Sequence, residues 1–176
     1  MNSPQTLFDT HLPPLAERVR PKTIDEFYGQ AHLVDEGKIL HRLTKQSATF
    51  SIIFWGPPGT GKTTLARMIA KSSQAKIREL SAVSSGVKDL REVIVFAKNN
   101  RDVGDKTILF VDEIHRFSKS QQDALLHAVE DGTITLFGAT TENPSFEVIS
   151  PLLSRCRVLT LKSLEKSHLQ NILKNV

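Results

Sequence analysis

The sequence predicts an α/β fold, a three-layer sandwich in which helices cover both faces of an open, mostly parallel sheet of five strands. Compact apolar or β-branched runs alternate with longer segments whose apolar residues recur at helical spacing. Each short run is typical of a strand buried on both faces. The predicted strands span 50–55, 76–80, 107–112, 134–139 and 157–161, and the predicted helices span 61–72, 86–99, 118–131 and a short stretch near 145–153.

Shorter pieces flank this alternating region. Residues 15–49 are predicted to form short helices broken at Pro21, Gly29 and Gly37. Another helix begins within 163–176, where the chain stops, so we expect the sequence to be a fragment of something longer. Large aromatic residues of the strands, Trp55 and Phe110 among them, are expected in the core.

The composition narrows the class of protein. The 176 residues, 39% hydrophobic and 24% charged, suffice for one globular domain with a real core. The N-terminus lacks a signal-peptide pattern and no apolar run matches a membrane span, so we expect a cytoplasmic protein without membrane contact. The one cysteine, Cys156, excludes an internal disulfide and a multi-cysteine zinc site. A net charge of +4 permits contact with nucleic acid without demonstrating it.

A phosphate-binding loop is the most specific motif of the chain. Residues 56–63, Gly-Pro-Pro-Gly-Thr-Gly-Lys-Thr, match G-x-x-x-x-G-K-[ST] between a predicted strand and a predicted helix, which indicates a P-loop NTPase. Glycine torsions and N–H groups at a helix N-terminus cradle phosphate. We expect Lys62 to reach the β- and γ-phosphates of ATP and the Thr63 hydroxyl to bind Mg²⁺. The predicted nucleotide-binding residues are Gly56, Pro57, Pro58, Gly59, Thr60, Gly61, Lys62, Thr63 and Thr64.

Two carboxylates follow the predicted strand 107–112. Ligands bind at the carboxyl edge of an open α/β sheet, and this strand delivers Asp112 and Glu113 there. We expect Asp112 to hold Mg²⁺, through water, and Glu113 to orient or deprotonate the attacking water. The alternative is a solvated strand end without a chemical role.

Two further features have open interpretations on the residues alone. Thr141 follows the strand 134–139, and its hydroxyl either bonds the γ-phosphate or the attacking water, or caps the next element. Arg155 either is solvated or acts as an arginine finger on the ATP of a neighbouring subunit. None of the six histidines has a partner at metal-ligand spacing, and none is expected to bind metal.

These four features, in this order and spacing, resemble the AAA+ ATPases. The segments 15–33, 112–126 and 138–148 are similar to the clamp-loader clade, and in particular to the family of replication-associated recombination proteins, bacterial relatives of the Werner helicase-interacting ATPase. The resemblance covers nearly the whole chain. It implies that Thr141 senses the γ-phosphate and that Arg155 is the finger.

The resemblance implies a function and a domain organisation. It implies a DNA-dependent, homo-oligomeric ATPase that converts ATP to ADP and phosphate during replication-fork maintenance, recombination and repair in the bacterial cytoplasm, at the nucleoid. DNA junctions, gaps or ends would be its ligands, and replication proteins such as single-strand-binding protein its partners. The implied organisation is a flexible arm over 1–14, a core over 15–162 and the start of a truncated helical lid over 163–176, and a fragment lacking the rest of the lid would hydrolyse ATP weakly. Segment 5–8 faintly resembles a sliding-clamp-binding peptide, with a loose arm as the alternative.

Three other functions remain open. A clamp-loader subunit is the first, although the cysteine-rich zinc insert of the bacterial motor subunit is absent. A Holliday-junction branch-migration motor is the second, and segment 154–156 fits it poorly. A nucleotide-binding scaffold without hydrolysis is the third, and the presence of Glu113 and Arg155 argues against it. The segment 80–82 also lacks the Asn with which many relatives restrain the catalytic glutamate.

Overall fold

A single parallel sheet forms the centre of the molecule. The computed structural model describes residues 15–45 and 50–174, so the predicted arm 1–14 and its segment 5–8 lie outside the described residues. The strands are β1 (Ile52–Trp55), β2 (Lys76–Ser81), β3 (Thr107–Asp112), β4 (Thr135–Thr140) and β5 (Arg157–Thr160). They lie in the order β2-β3-β4-β1-β5, and all four pairings are parallel. The predicted α/β class is confirmed.

Helices cover both faces of this sheet. The long helices are α4 (Lys62–Ser72), α5 (Val87–Asp102) and α6 (Lys119–Glu130). The shorter ones are α1 (Leu15–Arg18), α2 (Ala31–Val34), α3 (Ile39–Lys45), α7 (Pro144–Glu147), α8 (Ser150–Leu153) and α9 (Lys166–Lys174), with 3₁₀ turns at Ile24–Glu26 and Ile114–Arg116. Within the described parts of the chain, no helix is both long and apolar enough to cross a membrane.

Two hydrophobic clusters, one on each face, hold the layers together. Successive side chains of β1 alternate between them, as the period of a strand requires. Ile52 and Phe54 pack with α2, α3 and α4, whereas Ile53 packs with α5, α6 and α8. All three side chains are fully buried, so β1 is anchored from both faces and fixes where the loop that follows it begins.

The prediction that every strand is buried is wrong for the two edge strands. In β2 the side chains of Lys76, Arg78 and Glu79 are exposed, and in β5 only Leu159 is buried. An edge strand has one sheet neighbour and less helix cover, so polar side chains reach water there. Trp55, expected in the core, is also partly exposed because it ends its strand at the rim of the sheet.

The predicted helix near 145–153 is two short helices, α7 and α8. Asn143 caps α7, its side chain accepting a hydrogen bond from the Ser145 N–H at 3.0 Å. Val148 then takes an extended conformation and ends α7, and Pro151 stands in the first turn of α8. Since proline favours helix starts and disfavours helix interiors, the segment breaks at this point.

The sheet brings the carboxyl ends of β1, β3 and β4 to one edge, called here the carboxyl edge. Trp55 of β1 pairs with Thr140 of β4, and the Gly56 N–H continues the ladder to the Thr140 carbonyl at 3.1 Å. β3 lies on the other side of β4 and ends at Asp112. The loop after β1 therefore begins beside the residues that end the other two strands.

Candidate nucleotide-binding site

The loop between β1 and α4 has a backbone that its glycines make possible. Gly59 and Gly61 have positive φ values of 74° and 96°. At Gly61 a Cβ atom would also lie 2.5 Å from the Phe27 ring, which packs against the loop. Glycine is therefore required at residue 61 twice, by the torsion angle and by the space. The loop wraps the N-terminus of α4, where free N–H groups favour an anion.

Lys62 is folded back into this loop. Its side chain is buried, and Nζ donates hydrogen bonds to the carbonyl oxygens of Gly56 at 2.7 Å and Pro57 at 2.9 Å. Burial lowers the pKa of the Lys62 ammonium, and the carboxylates of Glu113 and Asp112 oppose that shift. The ammonium thus lies under the influence of both acidic residues, as expected for a lysine of a phosphate site.

The three threonines of the loop differ in what their hydroxyls contact. Thr60 donates to the Pro57 carbonyl at 2.9 Å, and Thr64 accepts from the guanidinium of Arg20 at 3.0 Å. Thr63 and Asp112 both line a cleft beside the loop. The hydroxyls of Thr60 and Thr64 therefore stabilise the loop. If these two residues bind phosphate directly, they would do so through their backbone N–H groups, and this role stays a prediction.

A cleft of about 520 Å³ lies beside the loop. The loop, Asp112 and Glu113 supply polar groups to its lining. Segment 19–28, Leu164 just before α9 and Ile172 within α9 supply the apolar part of the lining, with Val19, Pro21, Phe27 and Tyr28 from the first of these. The lining therefore combines polar and apolar groups, as a nucleotide with its phosphates and base requires. Sequence reasoning singled out segment 15–33 without naming individual residues in it as part of a site. It did not predict Leu164 and Ile172 as site residues, because neither belongs to a recognisable motif.

The acidic pair lies where the sequence predicted it. Asp112 ends β3, and its Oδ1 accepts the Glu113 N–H at 3.2 Å. Glu113 has φ 51° and ψ 47°, a left-handed conformation that residues with a Cβ rarely adopt. Its Oε2 accepts a long hydrogen bond from the Thr141 hydroxyl at 3.4 Å. The structure thus brings Glu113 and Thr141 together from the ends of β3 and β4.

A histidine that sequence reasoning set aside completes this cluster. His115 Nδ1 lies 3.2 Å from Glu113 Oε2 and 3.0 Å from the hydroxyl of Thr140. Its side chain is only 10% exposed. Metal-ligand spacing was the wrong criterion for this residue. The useful signal was its position two residues after the acidic Glu113, in the turn that leaves the same strand.

The side chains in the cleft fit a magnesium ion bound together with phosphate. Thr63 and Asp112 offer a hydroxyl and a carboxylate, the oxygen ligands that Mg²⁺ prefers. In residues 15–45 and 50–174, no group of three or more His, Cys, Asp or Glu side chains is arranged to hold a metal. Phosphate oxygens and water would therefore supply the remaining ligands, which is usual for magnesium at nucleotide sites.

Arg155 is not part of this cluster. It lines a separate open cavity with Phe50 and Thr135, residues at the amino ends of β1 and β4. This side of the sheet, the amino edge, lies opposite the loop across the length of β1, about 13 Å for four residues. Arg155 forms an ion pair with Glu130 at 2.8 Å, and both side chains are partly exposed.

The sequence of this chain is similar to those of several known proteins. The family model described as the Holliday junction DNA helicase RuvB P-loop domain matches residues 19–149. The chain is 55% identical to replication-associated recombination protein A of Escherichia coli K12 over 165 residues, 94% of this chain and 37% of that protein. It is 51% identical to the ATPase WRNIP1 of Dictyostelium discoideum over 161 residues, 92% of this chain and 18% of that protein.

A solved structure shows the same fold. The Thermotoga maritima RuvB Holliday junction branch migration motor superposes with a TM-score of 0.72 at 32% identity, covering 89% of this chain and 53% of that one. The chain therefore spans little more than a third of the E. coli relative and about half of the RuvB chain.

Proposed function

The chain belongs to the RuvB-type P-loop domains of the AAA+ ATPases, and on this basis we propose that it hydrolyses ATP to ADP and phosphate as part of a DNA-dependent ATPase. One observation carries the proposal. Lys62, Asp112 and Glu113 line a single cleft, and the Thr141 hydroxyl contacts the Glu113 carboxylate. A phosphate site with a paired acid and a hydroxyl at its end has the groups that phosphoryl transfer to water needs.

Binding of the triphosphate follows from the loop. Backbone N–H groups at the start of α4 would surround the phosphates, and Lys62 would exchange its bonds to the carbonyls of Gly56 and Pro57 for bonds to phosphate oxygens. Thr63 and Asp112 would hold Mg²⁺, which, when bound, neutralises charge on the β- and γ-phosphates. The apolar side chains that line the cleft would contact the base.

Hydrolysis would depend on Glu113. Its carboxylate would accept a hydrogen bond from the attacking water and align it with the γ-phosphorus, while Thr141 would sense the γ-phosphate from the end of β4. Both residues lie at the carboxyl edge, so one water in this corner of the cleft is within reach of both.

Arg155 would act on another subunit. Its place at the amino edge separates it from the cleft of its own chain, and this separation supports action in trans. If the amino edge of one copy met the cleft of the next, the contact would join different surfaces, and repetition would build a ring or a helix. The Glu130–Arg155 ion pair would then give way to a bond from Arg155 to the neighbour's phosphate.

The proposed biological setting comes from the relatives. Replication-associated recombination protein A and the RuvB branch migration motor carry names that refer to DNA transactions. We place this chain in a homo-oligomer that acts on DNA junctions, gaps or ends at replication forks in the cytoplasm, with single-strand-binding protein as a candidate partner.

Steady-state ATP hydrolysis, measured at full natural length with and without gapped or forked DNA, tests this function. We expect turnover that DNA stimulates. Turnover indifferent to DNA would favour the clamp-loader-like alternative, and tight ATP binding without turnover would favour a scaffold.

Nucleotide binding is tested separately with Lys62→Ala. We expect calorimetry to show no tight ATP binding for this variant, because Lys62 is the only Lys or Arg in residues 56–64. Lys71→Ala, an exposed lysine on the same helix, is the matched control and should bind like the parent. An ATP affinity of Lys62→Ala equal to that of the parent would reject the assignment of Lys62 and its loop as the phosphate-binding site.

A further inference from the structure

The hydrogen bonds around Thr140 favour a proton on Nδ1 of His115. The Thr140 hydroxyl accepts the Glu142 N–H at 3.0 Å and is placed to donate its own hydrogen to the Glu142 carbonyl at 3.3 Å. An ionised carboxylate accepts hydrogen bonds and cannot donate them, and Glu113 Oε2 lies 3.2 Å from His115 Nδ1. A proton on Nδ1 satisfies both neighbours, because Nδ1–H can then be shared between Thr140 and Glu113.

The backbone after β3 is what carries the imidazole to this position. Glu113 takes the left-handed conformation, and the 3₁₀ turn Ile114–Arg116 follows at once. This reversal places the His115 side chain beside the carboxylate two residues earlier and against the buried end of β4. A left-handed residue with a Cβ is strained and persists where surrounding contacts fix it, often at functional sites.

We propose that His115 is a positioning residue for the hydrolysis reaction, holding the Glu113 carboxylate beside Thr141; this inference rests on the proposed ATPase function. Of the two contacts to Oε2, the one from His115 at 3.2 Å is shorter than the one from Thr141 at 3.4 Å. Within the described residues, both side-chain contacts of the carboxylate fall on Oε2. Oε1 is therefore the oxygen presented to a water.

This arrangement makes His115 a link between two strand ends. Its Nδ1 touches Thr140, the last residue of β4, and Glu113, the first residue after β3. Thr141 follows Thr140 directly, so a shift of the β4 end on contact with the γ-phosphate would reach Glu113 by two routes. One route is the Thr141 hydroxyl, and the other is the imidazole.

The first experiment separates positioning from binding in the protein at its full natural length. In His115→Ala we expect kcat for ATP hydrolysis to fall by about tenfold to a hundredfold, the scale of a misplaced reacting group, with KM and ATP affinity unchanged. His127→Ala, an exposed histidine on α6, is the matched control and should keep the kcat of the parent.

Rescue by shape distinguishes positioning from a structural role. The side-chain N–H of Asn can occupy the place of Nδ1, whereas Gln extends its N–H further, toward the place of Nε2. We expect His115→Asn to recover most of kcat and His115→Gln to recover little. A kcat for His115→Ala equal to that of the parent, or equal losses in the Asn and Gln variants, would overturn the inference. Absence of turnover in the parent would instead overturn the proposed function, and this inference with it.

A spectroscopic readout tests the geometry without activity. Long-range ¹H–¹⁵N spectra of the imidazole, assigned through His115→Asn, should show the proton of neutral His115 on Nδ1. Glu113→Gln should shift that Nδ1 resonance, because the carboxylate acceptor becomes an amide. A neutral ring protonated on Nε2, or a resonance indifferent to Glu113→Gln, would contradict the arrangement.

Discussion

At the residue scale, Lys62 and Glu113 have different proposed roles, one in binding ATP and the other in hydrolysing it. Lys62 is bound to the carbonyls of the loop and lines the phosphate end of the cleft, so it belongs to binding. Glu113 contacts Thr141 and His115, away from the loop backbone, so it belongs to hydrolysis. The roles of these two neighbouring side chains can therefore be distinguished by measuring whether each variant loses ATP affinity or turnover.

Glu113→Gln should bind ATP with the affinity of the parent and lose nearly all turnover. The amide keeps the size of the side chain but is a far weaker base, and a positioned base contributes about 10²–10⁴ in rate. Calorimetry measures the ATP affinity, and steady-state hydrolysis on the same preparation measures the turnover. Glu36→Gln, at an exposed glutamate, is the control, and a turnover in Glu113→Gln equal to that of the control would reject the role of Glu113.

Cys156 should be nearly inert. Burial raises the pKa of its thiol to about 12. Since the thiolate is the reactive form, raising the pKa leaves about a thousandfold less thiolate at pH 7.5 than an exposed cysteine has. We expect the native protein to react with a disulfide reagent far more slowly than the protein unfolded in denaturant, and to react faster as the pH rises. Equal rates in the native and unfolded protein at pH 7.5 would contradict the burial.

At the scale of elements, the loop after β1 tolerates few substitutions at Gly61. Its positive torsion angle at Gly61 and the contact with Phe27 act together, so the segment 24–28 is coupled to the phosphate end of the cleft. Phe27 also lines the cleft itself. The loop is therefore held by a neighbour that is expected to lie close to the nucleotide.

Gly61→Ala measures that coupling. The added methyl meets both the unfavourable φ of 96° and the Phe27 ring, so we expect the variant to lose stability and ATP affinity together. Gly104→Ala is the control, since Gly104 has φ 85° but open space around it. The control isolates the torsional cost of about 1 kcal/mol, and its ATP affinity should match the parent. Thermal denaturation and calorimetry compare the two, and equal losses in both variants would reject the contact with Phe27.

The elements show which parts of the structure a sequence can reveal. The loop, Asp112, Glu113 and Thr141 follow apolar runs directly, and parallel strands bring such ends to one edge, so the site was predictable. Arg20 on Thr64, Leu164 in the cleft and Glu130 on Arg155 were not, because each is a contact between distant segments. Both edge strands were predicted, but their exposure was not, because short runs do not reveal which strands lack a second neighbour.

At the scale of the whole molecule, the two side chains proposed to act in hydrolysis, Glu113 and Arg155, lie at opposite edges of one sheet. The cleft, with Glu113, lies at the carboxyl edge, and Arg155 lies at the amino edge. The ion pair between Arg155 and Glu130 is partly exposed, and such pairs contribute about 0–1 kcal/mol. In the proposed assembly, a neighbour's phosphate would therefore displace Glu130 at small cost. Under the proposed function, one subunit would offer half of each of two sites, and a complete site would require a second copy.

The most direct measurement of this account mixes two inactive variants, Arg155→Ala and Glu113→Gln, at full natural length. Each alone should hydrolyse ATP poorly, since an arginine finger contributes about 10³–10⁵ in rate and Glu113 aligns the water. In a random equal mixture about a quarter of the interfaces would join an intact Glu113 to an intact Arg155 from the neighbour. We predict that mixing restores turnover toward that fraction of the parent's rate. A mixture as inactive as its two components, at every ratio and with assembly confirmed, would contradict the division of the site between subunits.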